Sequence, residues 1–104
     1  MANVIWTPEA LQQLGEILDY LAEVAPDYGD ALSVELDEAV DSLSRFPQMG
    51  RAVPEFARDD VREVIIDNYR LVYVVRPNAV RIASLFHGAM DVATRLRRVD
   101  VGGG

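Results

Sequence analysis

The sequence predicts an α+β fold of order β-α-α-β-β-β, in which a helical hairpin packs on one face of a small antiparallel sheet. Apolar residues recur at helical spacing between residues 8 and 45 and then alternate at strand spacing from residue 61. Two-residue turn signals separate the three strand-like segments. The chain has 104 residues, of which 50% are hydrophobic, enough for one core. We therefore expect one domain over residues 1–101, followed by a flexible glycine tail at residues 102–104.

The first strand and helix are marked by a short apolar segment and a helix-start signal. Residues 4–6 read as a short strand. Thr7, Pro8 and Glu9 then supply a hydroxyl N-cap, a proline at the first helical position and an acid in the first turn. Leucines follow at helical spacing, which predicts a first helix over about residues 8–24.

The second helix follows a break at Pro26. Asp27 is a candidate N-cap, and an apolar stripe runs through residues 32–43. The segment that begins with Phe46 ends the helix. The two helices should form an antiparallel hairpin. The acidic residues fall mostly off the stripes, as on a solvated helical face.

Three strands are predicted after an irregular stretch that ends near Asp60. Residues 61–66, 69–75 and 80–88 are strand-like, and Asp67–Asn68 and Pro77–Asn78 form the turns between them. Residues 90–99 could be a short helix or an edge strand.

The strand periodicity assigns side chains to the two faces of the sheet. If Val75 lies opposite Val80, the helix-side core receives Tyr69, Leu71, Tyr73, Val75, Val80, Ile82, Ser84 and Phe86. The other face, which we expect to be open, receives Arg70, Val72, Val74, Arg81, Ala83, Leu85 and His87.

The turn at Asp67–Asn68 gives a second register. Pairing Ile66 with Tyr69 makes Glu63 a diagonal neighbour of Arg70. Arg70 could therefore be a structural tie between two strands, and His87, at a strand end, could be a hydrogen-bonded structural histidine.

Composition excludes several chemistries. With no cysteine and one histidine, disulfides, thiolate catalysis and multi-histidine metal sites are ruled out, and we expect neither metal nor cofactor. Every base is arginine, so no lysine can act as a catalytic base.

The net charge is −7, but the charged residues are unevenly distributed along the chain: ten of the 17 acids and none of the ten bases precede Arg45. No apolar run approaches the roughly 20 residues that span a bilayer, and no signal-peptide pattern is present, which predicts a cytoplasmic protein.

An ordered set of short motifs spans nearly the whole chain. They are Ile5-Trp6-Thr7-Pro8-Glu9-Ala10, Phe46-Pro47 with Gly50-Arg51, the strand holding Arg62, Tyr69-Arg70-Leu71-Val72-Tyr73, and His87-Gly88. In this order and spacing the sequence resembles the RelE/ParE family of small bacterial toxins of type II toxin-antitoxin systems. The resemblance implies a toxin silenced by a cognate, ParD-like antitoxin encoded by an adjacent gene.

The family resemblance leaves two activities open. RelE-type members cut messenger RNA on the ribosome, whereas ParE-type members are associated with poisoning of DNA gyrase. For a nuclease, the resemblance implies that Arg70 contacts the scissile phosphate and His87 acts as acid or base. However, the lysines of RelE match Val61 and Glu63 here, and its arginine beyond the last strand falls near Met90.

The long hairpin, the Phe-Pro-x-x-Gly-Arg turn and the His-Gly ending favour the ParE-like branch, an inhibitor of a topoisomerase rather than an enzyme. DNA would then be contacted only indirectly, through the antitoxin or gyrase. The predicted antitoxin- or target-binding residues are Arg70, Arg81, Leu85, His87, Arg95, Arg97 and Arg98. A third possibility is a non-toxic interaction module or homodimer, in which the same surface has a structural role.

Overall fold

The computed structural model of the chain describes residues 1–102, so Gly103 and Gly104 of the predicted tail lie outside the described residues. Its elements, in chain order, are β1 (Asn3–Trp6), α1 (Pro8–Val24), α2 (Pro26–Arg45), β2 (Arg51–Ala52), a 3₁₀ turn (Pro54–Phe56), β3 (Val61–Ile66), β4 (Tyr69–Arg76), β5 (Ala79–His87) and α3 (Val92–Arg97). The predicted α+β order is confirmed. The structure adds the short β2 and resolves the open alternative for the last segment as a helix.

A single residue, Ala25, connects the two helices of the hairpin. Thr7 caps α1 as predicted, since its Oγ1 accepts a hydrogen bond of 3.2 Å from the Ala10 N–H. The N-cap of α2 is Ala25, with no side-chain cap, and Asp27 lies in the first turn, so the prediction of an Asp27 cap is wrong. A carboxylate in that first turn still stabilises the positive end of the helix dipole.

The sheet has the strand order β1-β5-β4-β3-β2. Strands β3 to β5 pair antiparallel, as predicted, and the added β2 pairs antiparallel with β3. Strand β1 pairs parallel with β5 and makes the sheet mixed. The first strand thus lies at one edge of the sheet, beside the last strand of the chain.

The predicted register between β3 and β4 is confirmed. Ile66 lies opposite Tyr69, and Glu63 opposite Val72. The connecting turn needs a left-handed backbone at Asp67, which has a φ of 54°. Aspartate tolerates that conformation better than most residues.

The register between β4 and β5 is confirmed only near the turn. Val75 lies opposite Val80, but Tyr73 pairs with Ile82 while Val72 pairs with Ser84. One extra residue, Ala83, is therefore accommodated as a β-bulge. On α1, the Oε1 of Gln13 accepts hydrogen bonds from the Leu85 N–H at 2.9 Å and from Ser84 Oγ at 3.2 Å.

Beyond the bulge the predicted faces are wrong, because one extra residue exchanges the faces of all that follow. Leu85 joins the helix-side core, Phe86 packs on the other face, and His87 lies opposite Tyr69. Arg70, Leu85 and His87 therefore do not share one face.

The second face of the sheet is covered, contrary to the prediction that it is open. A second apolar cluster lies there, formed by Val53, Val61, Val72, Val74, Ala83, Phe86, Leu96 and Val99. Helix α3 and the following residues supply the last two. The central strand β4 is apolar on both faces, which is typical of a strand buried on both sides. Among the described helices, none is long and apolar enough to cross a bilayer.

Candidate functional site

The centre of the site is a buried carboxylate held between two arginines. Glu63 lies on β3 with its side chain fully buried. Its Oε1 accepts a hydrogen bond of 2.7 Å from Arg70 Nε and a second one from Arg70 Nη2, while its Oε2 accepts one of 2.6 Å from Arg51 Nε. Both carboxylate oxygens are therefore engaged, as burial of a charge requires.

The two arginines differ in exposure. The Arg70 side chain is 12% exposed and that of Arg51 is 67% exposed. The Arg70 guanidinium carbon also lies 5.8 Å from the centre of the Phe86 ring, within the range of a cation-π contact. Arg70 is thus held between the Glu63 carboxylate and the Phe86 ring, and the predicted Glu63–Arg70 neighbourhood is confirmed.

Arg51 was missed as a member of this cluster. The sequence signal was the Gly50-Arg51 motif, but no strand was predicted there. The two-residue β2 places Arg51 opposite Glu63, on the edge of the sheet.

A shallow depression of about 400 Å³ brings Arg70 and His87 together. It is lined by Arg51, Ile65, Asp67, Asn68, Arg70, His87, Gly88 and Ala89. The two residues reach it from different faces of the sheet. The imidazole Nδ1 accepts a hydrogen bond of 3.0 Å from the Ala89 N–H, so in this neutral tautomer the proton is on Nε2. The ring also meets Tyr69 edge-on, with 5.1 Å between ring centroids.

The remaining predicted binding residues are not part of this cluster. Leu85 is 1% exposed and belongs to the core. Arg81 Nη2 donates to the Asp100 carbonyl at 3.5 Å, on the face covered by the C-terminal segment. The others lie on or next to α3: Arg95 contacts Met90 Sδ at 3.5 Å, Arg97 donates to Thr94 Oγ1 at 3.2 Å, and Arg98 is exposed at the C-terminal end of the helix.

A second ionic cluster anchors the C-terminal segment. Asp60 accepts hydrogen bonds from Arg58 at 2.8 and 2.9 Å and from Arg76 at 2.9 Å. The hydrogen bonds from Arg58, aided by the weaker contribution of Arg76, lower the pKa of Asp60 to about 2, although desolvation raises it by more than Arg76 lowers it. The same two arginines donate to the carbonyls of Gly102 at 3.0 Å and Val101 at 3.4 Å.

Within residues 1–102 no three side chains of histidine, cysteine or acid type are grouped so as to hold a metal ion. The Arg70 depression offers instead a hydrogen-bonded histidine beside an arginine that is paired with a buried carboxylate.

Comparison with known proteins identifies this arrangement of hairpin and sheet. The fold matches that of a chain from the chromosomal ParDE toxin-antitoxin system of P. aeruginosa, with a TM-score of 0.65 and 20% identity, covering 84% of this chain and 96% of that one. The class is therefore the small α+β fold of that chain.

The family follows from two sequence comparisons. The family model described as ParE toxin of type II toxin-antitoxin system, parDE, matches residues 4–92. Toxin RelE2 of Caulobacter vibrioides is 34% identical over 90 residues, which cover 86% of this chain and 98% of that protein. The chain belongs to the ParE family of type II toxins, and membership in a toxin-antitoxin family implies an antitoxin partner. The predicted family is confirmed.

Proposed function

We propose that this toxin inhibits DNA gyrase, does not cleave nucleic acid itself, and is neutralised by a ParD-like antitoxin. The observation that carries the proposal is the Glu63 carboxylate, which is buried and bound to both Arg51 and Arg70. Cleavage of RNA without a metal requires free positive charge at the phosphorus that is attacked. Here two N–H groups of Arg70 are directed at Glu63, a carboxylate that would repel a phosphate, and the remaining positive charge of the cluster is on the exposed Arg51.

His87 adds a second argument against a nuclease. Its Nδ1 accepts from the Ala89 N–H, so only Nε2 remains for a substrate. Proton transfer in both directions, from the 2′-hydroxyl and to the leaving oxygen, needs two groups. The absence of lysine from the chain removes the commonest alternative source of positive charge.

The proposal is tested by inducing the toxin in cells and measuring two products in parallel. Trapped gyrase-DNA cleavage complexes and DNA damage with intact messenger RNA are expected. Messenger RNA cut at ribosome-dependent positions, with no rise in cleavage complexes, would contradict gyrase inhibition.

One observation favours the alternative of a ribosome-dependent ribonuclease: Arg70 and His87 line the same depression. Under this alternative His87→Ala abolishes messenger RNA cleavage. Cleavage that persists in His87→Ala removes the histidine from the mechanism.

The third possibility, a non-toxic module or homodimer, predicts no growth arrest from a folded product. Size-exclusion chromatography of the chain alone, and after co-expression with the product of the adjacent gene, distinguishes a homodimer from a toxin that binds an antitoxin. We expect a complex with a ParD-like antitoxin. A stable oligomer of the chain alone that does not bind the product of the adjacent gene would contradict the proposed antitoxin binding.

The surface available for these partners differs from the one the sequence predicted. The proposed contacts with the antitoxin or gyrase are Arg81, Arg95, Arg97 and Arg98, together with the rim residues Arg70 and His87. Leu85 is not among them, because a side chain that is 1% exposed cannot contact a partner. Contact with DNA is proposed only through the antitoxin or gyrase, in the cytoplasm.

A further inference from the structure

The single histidine of the chain holds the turn that connects β5 to α3. His87 is the last residue of β5. Its Nδ1 accepts a hydrogen bond of 3.0 Å from the Ala89 N–H, and its backbone carbonyl accepts one of 3.1 Å from the Met90 N–H. We refer to residues 87–90 as the His87 turn. One residue therefore supplies both acceptors that close it.

The His87 turn sets where α3 begins relative to β5. On the strand side the chain is fixed, because the Gly88 N–H donates to the Asn68 carbonyl at 2.7 Å. On the other side α3 has six residues, too few for a helix that is stable by itself. Its only buried residue is Leu96. The attachment of α3 to the sheet therefore depends on the turn that precedes it and on this packing.

The hydrogen bond from Ala89 is possible only while His87 is neutral. In the imidazolium ion both ring nitrogens are donors, so no rotation of the ring restores an acceptor for the Ala89 N–H. The open turn therefore binds one proton more than the closed turn, and a fall in pH shifts the equilibrium toward the open turn. Histidine is the side chain that ordinarily changes its charge between about pH 5 and 8.

The groups around the imidazole do not replace the lost hydrogen bond. The charged or titratable side chains that line the two depressions beside the ring come from α1, α3, β2, β4 and the β3–β4 turn: Glu16, Tyr20, Arg51, Asp67, Tyr69, Arg70 and Arg95. Counted with the buried Glu63, the carboxylates are three, as many as the arginines. Asp67 already accepts a hydrogen bond from Tyr28. Within residues 1–102 no carboxylate forms an ion pair with His87. A proton on the imidazole thus breaks one hydrogen bond and gains no ionic partner.

We propose that His87 is a pH-sensitive switch: protonation of its imidazole opens the His87 turn and loosens α3 and the following residues from the second face of the sheet. Leu96 and Val99 are the apolar side chains that would then be less firmly packed. The inference goes beyond the proposed function and does not depend on the target. Only one consequence rests on the proposed contacts: Arg95, Arg97 and Arg98 would be held in place for a partner while His87 is neutral.

The test is an NMR titration of the wild-type chain from about pH 7.5 to about pH 5, the range in which histidine titrates. The imidazole nitrogen shifts report the charge of His87 without overlap, because the chain has one histidine. Hydrogen exchange of the Arg95 and Val99 amides, which donate to the carbonyls of Asp91 and Leu96, reports the order of α3 and of the residue after it. The Leu85 amide, bound to Gln13, is the control within the sheet. Each rate is divided by that of an unstructured chain at the same pH.

We expect the protection of the Arg95 and Val99 amides to fall at least about three-fold as His87 gains its proton, within the range of one lost hydrogen bond. Protection of Leu85 should stay within about 1.5-fold, because it reports a different opening. The change should follow the imidazole titration, with the same midpoint.

Two variants separate the hydrogen bond from the charge. His87→Asn supplies a side-chain oxygen that can accept from the N–H two residues on but does not titrate, so it should keep the high protection at both pH limits. His87→Phe has no acceptor and should show the low protection at both. Thermal unfolding checks that each variant is folded, and the wild-type titration decides alone if either is not.

Three results would overturn the inference. Protection of Arg95 and Val99 could stay constant while the imidazole titrates, or the imidazole could remain neutral down to about pH 5, below the ordinary range of histidine. The third is an unchanged pH dependence in folded His87→Asn, which would assign the effect to a neighbouring carboxylate. None of these results bears on gyrase inhibition, which is measured separately by cleavage complexes.

Discussion

Arg70 and Glu63 form a buried ion pair between β4 and β3, and the carboxylate of that pair is shared with the exposed Arg51. Because the two guanidinium groups differ so much in exposure, the pairs Glu63–Arg70 and Glu63–Arg51 should contribute unequally to the free energy of unfolding. In a buried pair, desolvation cancels much of the Coulomb attraction, so a large effect is expected only when one partner is removed and the other charge stays buried.

Glu63→Gln is expected to lower the free energy of unfolding by roughly 3 kcal/mol, because it leaves the nearly buried charge of Arg70 without its partner. Arg51→Ala should cost less than about 1 kcal/mol, since the guanidinium it removes is mostly solvated. Urea denaturation of both variants measures the difference. Equal effects would show that the exposed Arg51 stabilises the protein as much as the whole carboxylate does.

Gly50 is expected to tolerate no side chain. A Cβ there would lie 2.5 Å from the Glu63 carbonyl oxygen and 2.7 Å from the Tyr73 hydroxyl, both fixed by the sheet. Gly50→Ala should therefore destabilise by about 1 to 3 kcal/mol. Gly15→Ala is the matched control: nothing lies within 4 Å of its Cβ in the middle of α1, so it should stabilise by about 0.5 to 1 kcal/mol. The opposite signs are read from thermal unfolding, and a neutral Gly50→Ala would contradict the close approach.

Gln13 is expected to hold the β-bulge against α1. Gln13→Ala removes the acceptor of the buried Leu85 N–H, which should cost about 1 to 3 kcal/mol. Gln12→Ala, one residue earlier, loses only an exposed hydrogen bond to Glu16 and should change stability by less than about 0.5 kcal/mol. Hydrogen exchange at the Leu85 amide gives an independent measure. Unchanged protection in Gln13→Ala would show that the bulge does not depend on the glutamine.

The loss of stability at acid pH should depend on Asp60. Its pKa falls from an ordinary value of 3.8 to about 2, so the folded state releases this proton more readily than the unfolded state. The contribution is therefore complete above about pH 4 and is lost as the pH falls to about 2. Asp60→Asn should flatten the decline of stability with pH across this interval, and the exposed Asp59→Asn should not. Identical pH profiles for the wild type and Asp60→Asn would refute the role of Asp60.

The sequence was informative at two places where short-range chemistry determines structure. Thr7 and Pro8 determine the start of α1, and Asp67 with Asn68 determines the turn that brings Glu63 beside Arg70. These features depend on neighbours within a few residues, so local patterns predict them.

The bulge at Ala83 could not be predicted in the same way. Neither Ala83 nor Ser84 is a glycine or proline that would signal a break in a strand, and the contact that holds the bulge comes from Gln13, on a distant helix. One undetected residue exchanged the faces of Leu85, Phe86 and His87, of which Leu85 and His87 are two of the seven predicted site residues. The cover of the second face was missed for a similar reason: Leu96 and Val99 reach it only through tertiary packing.

The parallel pairing of β1 with β5 affects how the chain is made. The Thr7 hydroxyl donates to the Ala83 carbonyl across 76 residues of sequence, and the β1 backbone pairs with residues 79–82. At roughly 5–20 residues per second, translation of that interval takes about 4 to 15 s. During this time the helical hairpin can form from local contacts, but the first strand has no partner. A ribosome making this toxin therefore holds an incomplete sheet until synthesis has passed β5, when residues 3–6 can pair with residues 79–82.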